Sequence, residues 1–125
     1  MDASHPEQGS GAPRTPVLFS LLWETLANLI GTPATATLLR RSLKRAVSRR
    51  PGLGGVNITR AEHDYVFTLP PSWEAPSDDA LEDLRALFAE VCALSQQLTG
   101  SVIVRRLTAI PELAPLRSAP QEDTT

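Results

Sequence analysis

The spacing of apolar residues changes twice along this chain, and those changes limit what it can fold into. From Val17 to Val47 the apolar residues recur at helical spacing. After "RPGLGG" the period drops to two. "VNITR" sets Val56 and Ile58 against Asn57 and Thr59, and "DYVFTL" sets Tyr65, Phe67 and Leu69 against Val66 and Thr68. Beyond "PPSWEAP", residues 70–76, helical spacing returns. Strands that form one block between helices predict an α+β fold rather than a parallel sheet, which would need strands alternating with helices. Two N-terminal helices, a β-hairpin, a long amphipathic helix and a short closing element are expected. No internal repeat and no nucleotide-binding loop interrupts this order.

Local signals set the element boundaries. Thr15-Pro16 and Thr32-Pro33 each read as a helix start, with the threonine as cap and the proline at the first helical position, where no N–H bond is needed. The first helix spans about 16–30 and stops at Gly31. Its apolar residues cover more than one stripe, so it is either central in the core or docked on a partner. The second spans about 33–49 and must end before Pro51 and Gly52; Leu39, Leu43, Ala46 and Val47 form its buried stripe. Ala61, Glu62 and His63 link the two strands. Ser77 caps the third helix, with Asp78 and Asp79 in a first turn whose dipole favours negative charge. Leu81, Leu84, Phe88, Val91, Ser95 and Leu98 make its stripe, widened by Leu87 and Leu94. "SVIVRRLTAIPEL" reads two ways. Three β-branched residues in a row suit a third strand. Ser101 as a cap, with Ile103, Leu107 and Ile110 at i, i+4 and i+7, suits a short helix ending at Pro111, and this is the preferred reading.

The chain has 125 residues, enough for one domain with its own core. Residues 15–114 are expected to fold. Residues 1–14 and 115–125 lack the apolar content to offset ordering entropy and read as disordered tails. Cys92 is the only cysteine, which excludes an intramolecular disulfide and a cysteine-based metal cluster. It also fits the reducing environment of a cytoplasm. The apolar stretch from Val17 to Ile30 has only 14 residues and contains Glu24 and Asn28; a spanning helix needs about 20 apolar residues.

Net charge is −2, but its distribution is uneven. Residues 32–60 hold seven bases and no acid; residues 61–100 hold one base against eight acids. Arg41, Arg45 and Arg49 form one i, i+4 row of the second helix, with Arg40 and Lys44 in the next. Three readings follow. The basic and acidic segments face each other, or solvent, within one domain. Alternatively the basic helix docks an acidic protein partner or a second copy. Finally, it could grip nucleic acid, with the hairpin as a wing. Against the last stand Glu62 and Asp64 at the hairpin tip and the lack of outward Asn or Gln on the helix to read adenine.

Little in the sequence points to catalysis, and no catalytic residue, cofactor or metal is expected. Cys92 would need a nearby base to act as a nucleophile; the histidines are His5 in a tail and His63 at the hairpin tip. Adjacent residues in "EHD", 62–64, point apart, whereas structural zinc wants four convergent ligands. Asp78, Asp79, Glu82 and Asp83 are explained by the helix start. Trp73, flanked by prolines, is either a contact anchor or a lid over a small core. The expectation is a non-catalytic protein-interaction or regulatory module. Its contact residues would be Arg40, Arg41, Lys44, Arg45 and Arg49, with Trp73 as a second contact and nucleic-acid binding through the same helix as the alternative.

Overall fold

A computed structural model describes residues 14–62, 64–74 and 78–116. Helices α1 (Thr15–Ile30) and α2 (Thr32–Ala46) lead into strands β1 (Asn57–Ala61) and β2 (Asp64–Thr68), followed by helices α3 (Asp78–Thr99) and α4 (Val102–Thr108). Three 3₁₀ turns, Pro51–Gly55, Pro71–Trp73 and Pro111–Leu116, join or close these elements. The fold is α+β, in the expected order. The strands pair antiparallel with Ile58 opposite Phe67 and Arg60 opposite Tyr65. The segment after Gly100 is helical, so the sheet has two strands among the described residues.

Helix α1 is the centre of the core. Leu18, Phe19, Leu22, Trp23 and Leu26 are buried, and Leu21, Leu29 and Ile30 are half-buried against the same cluster. This breadth explains its wide apolar surface: it packs against α2, α3, α4 and the closing turn. Phe19 also meets Phe67 edge-on, with ring centroids 4.8 Å apart, and Trp23 lies 5.2 Å from the same ring. Edge-to-face pairs at this spacing add to area burial. They hold the hairpin against α1, although two strands alone are only marginally stable.

Neither threonine cap forms. Thr15 and Thr32 are themselves the first helical residues, and no side-chain cap bond is made at either start. Gly31 is the reason at the second junction. Its φ of +88° lies in a region favourable to glycine, so one residue ends α1 and α2 begins at once. The Gly31 N–H donates to the Ala27 carbonyl, and its own carbonyl accepts from the N–H and hydroxyl of Thr35.

Helix α3 buries Leu84, Phe88, Val91 and Ser95 of the expected stripe, but not its two ends. Leu87 and Leu94 are buried, Leu81 is half-buried, and Leu98 is 65% exposed. Leu113 and Leu116 are buried in the last 3₁₀ turn, so the packed region runs two residues past the expected boundary at 114. Their i, i+3 spacing puts both on one side of a turn with three residues per revolution. Ala61 pairs with Asp64, which shortens the hairpin link to two residues, with Glu62 at φ +52°. Ser77, His63, and the tails at 1–13 and 117–125 lie outside the described residues. No helix among the described residues is long and apolar enough to cross a membrane.

Candidate functional site

The fold brings part of the basic segment against part of the acidic one. Helix α2 packs against α3, and Glu90 of α3 takes two arginines. Arg45 Nε lies 3.1 Å from its Oε1 as an ion pair, and Arg49 donates a hydrogen bond to its Oε2. Glu90 is mostly shielded, while the two arginine side chains remain 50% and 60% exposed. Two cations share one carboxylate, so a net positive charge stays at the surface.

Arg50, just beyond α2, is held more firmly. Its Nε donates to Asp83 Oδ1 at 2.8 Å, and Nη2 donates to the Asp79 carbonyl at 3.3 Å. The Asp83 hydrogen bond holds the guanidinium above its ordinary pKa. The other Asp83 oxygen accepts the Trp73 indole N–H at 3.4 Å. Trp73 is 1% exposed, so it cannot serve as a surface contact and instead closes the core beside Phe19. Gly52 fits against the same carboxylate. A Cβ there would lie 2.7 Å from Asp83 Oδ2. No direct sign of this junction is legible in the sequence, which shows acids at the start of α3 but not which of them turns inward.

Arg40 has a different role. Its Nε and Nη2 both donate to the Ile58 carbonyl, at 3.1 and 2.9 Å. The guanidinium carbon lies 5.8 Å from the centre of the Tyr65 ring, within cation–π range. Arg41 and Lys44 are exposed and make no ion pair or side-chain hydrogen bond among the described residues. Of the five cations predicted to form the contact face, Arg49 lies beyond the end of α2 at Ala46, Arg40, Arg45 and Arg49 are engaged, and Arg41 and Lys44 are unengaged among the described residues.

The other candidate groups do not assemble into a reactive centre. Glu82 pairs with Arg85 at 2.6 Å, and Asp83 is occupied by Arg50 and Trp73. Among the described residues no three His, Cys, Asp or Glu side chains are grouped to hold a metal ion. Cys92 is half-buried in an open groove of about 790 Å³ that Arg49, Arg50 and Phe88 also line. Burial pushes its thiol up to about 11, opposite to the shift that activates a nucleophilic cysteine. Compared with known proteins, the chain matches no family model, no curated protein and no solved structure.

Proposed function

We propose that this chain is a non-catalytic protein-interaction module that engages an acidic partner through the outer face of α2. One observation supports the reading above the rest: Arg41 and Lys44 stand exposed, one turn apart, without a carboxylate partner among the described residues. Around them Arg40 is bound to a neutral carbonyl, and Arg45 and Arg49 share Glu90. Two free cations beside two that share a single carboxylate leave this surface net positive, and such a surface steers and orients an acidic partner. The single cysteine, unpaired and half-buried, suits a cytoplasmic setting.

The double change Arg41→Glu with Lys44→Glu tests the reading. The variant should keep the far-UV circular dichroism of the parent and lose one partner from a pulldown in the native host; retention of every partner would sink it. Fluorescence anisotropy of labelled duplex and single-stranded DNA, at roughly 50 and 200 mM salt, separates the alternative. The interaction reading predicts no binding at either salt concentration. Tight binding that weakens steeply with salt would transfer the face to nucleic acid.

A further inference from the structure

The positive face of α2 borders an apolar groove that the basic row alone does not reveal. The groove has a volume of about 360 Å³ and lies between the first half of α2, the end of α3 and the start of α4. Leu38, Leu94 and Ile103 line it and are themselves 4–6% exposed. Leu98 lines it as well but is 65% exposed, and Val102, next to Ile103, is 56% exposed. Only four large apolar side chains are this exposed among the described residues, and of these Leu98 lines the groove while Val102 is the chain neighbour of Ile103, which also lines it. Apolar surface extending beyond the groove suits a macromolecule better than a small ligand enclosed within it.

Charge distinguishes the occupants. Arg41 lines the groove, and no carboxylate does. A twofold contact with a second copy would set this same patch against itself, and Arg41 would gain no carboxylate from the groove's own lining. We propose that the groove between α2, α3 and α4 docks an amphipathic helix of a partner protein, with aliphatic side chains on Leu38, Leu94, Leu98 and Ile103 and a carboxylate on Arg41. Helix-in-groove recognition uses anchors spaced i, i+3 or i+4, and i+7. The inference rests on the reading of α2 as an interaction surface and adds the shape and chemistry of what it binds.

Photo-crosslinking of the full chain in its native host provides the test. Benzoylphenylalanine replaces Leu98 in one variant and Ser48, exposed one turn beyond Lys44, in another; circular dichroism establishes that both fold. Crosslinks from position 98 should map to a partner segment with helical apolar spacing and an Asp or Glu. A synthetic peptide of that segment should bind the unmodified protein at least about tenfold more tightly than Arg41→Glu, a difference of about 1.4 kcal/mol. Reversing the peptide's acid to Lys should restore binding to Arg41→Glu. Crosslinks to a second copy, to lipid or to nucleic acid would overturn the proposal, as would none at all or a segment without the acid. If position 48 captures an acidic partner while position 98 captures nothing, the groove fails and the α2 reading stands. If neither captures a protein, both fall.

Discussion

The basic segment behaves as two regions. At Arg50 a cation is fixed by Asp83, and the same carboxylate takes the indole of Trp73 and packs against Gly52. At Arg41 and Lys44, nine and six residues earlier, the cations meet solvent. Both regions are the same kind of sequence, an arginine-rich stretch without acids. What separates them is the opposing surface. Helix α3 presents Asp83 and Glu90 to one end of the segment, whereas no carboxylate lines the groove at the other end. A run of charge can therefore be part scaffold and part free surface, and the opposing carboxylate separates the two.

The largest test of this division is Trp73→Ala. If the junction is structural, chemical denaturation should show a loss of about 3–5 kcal/mol, as for other buried aromatic truncations; a loss below about 1 kcal/mol would mean the indole is not holding the core. Next is Asp83→Ala, which leaves the buried Trp73 N–H without an acceptor. Stranding such a donor costs about 1–3 kcal/mol. Gly52→Ala should cost about 1–2 kcal/mol by overpacking, and less in the Asp83→Ala background, because the clashing oxygen is gone. Additive losses in the double variant would contradict the close approach of Gly52 to that carboxylate.

Cys92 gives a pH-dependent test. It shares a groove with Arg49 and Arg50, and an unengaged cation beside it would lower its pKa. Because burial dominates, the folded thiol titrates above its unfolded value, so the protonated form is favoured in the native state. Its contribution to stability is intact below the ordinary thiol range and is lost as pH rises through about 11. Thiolate absorbance at alkaline pH should show a midpoint near 11 in the folded protein; an unshifted midpoint would show that the thiol is solvated. The smallest effect belongs to the free face. Arg41→Glu with Lys44→Glu should change stability by no more than about 0.5 kcal/mol, and a larger loss would place those residues in the scaffold.

The sequence reveals the architecture through features that act locally. Pro51, Gly52 and the prolines at 70, 71 and 76 mark where the period changes, and Ile103 and Leu107 share one buried face of α4. It is less informative wherever the outcome depends on how elements rotate against each other. Leu98 continues the apolar spacing of α3 but falls outside the core. Trp73 has prolines on both sides and could point either way; the rings of α1 and the carboxylate of Asp83 draw it inward. Segment charges likewise identify which stretches attract each other but not which residues meet. Glu90 and Asp83 became pairing partners through the helix packing.

The two hydrogen bonds from Arg40 to the Ile58 carbonyl have a consequence for the edge of the hairpin. In an antiparallel pair, successive residues turn their backbone groups alternately toward the partner strand and away from it. A carbonyl that accepts both branches of a guanidinium faces outward, along the open margin of β1. Such margins are templates for unwanted strand addition, and a bulky charge set across one is a recognised safeguard. Arg40 thus occupies an acceptor that an incoming strand would need at Ile58.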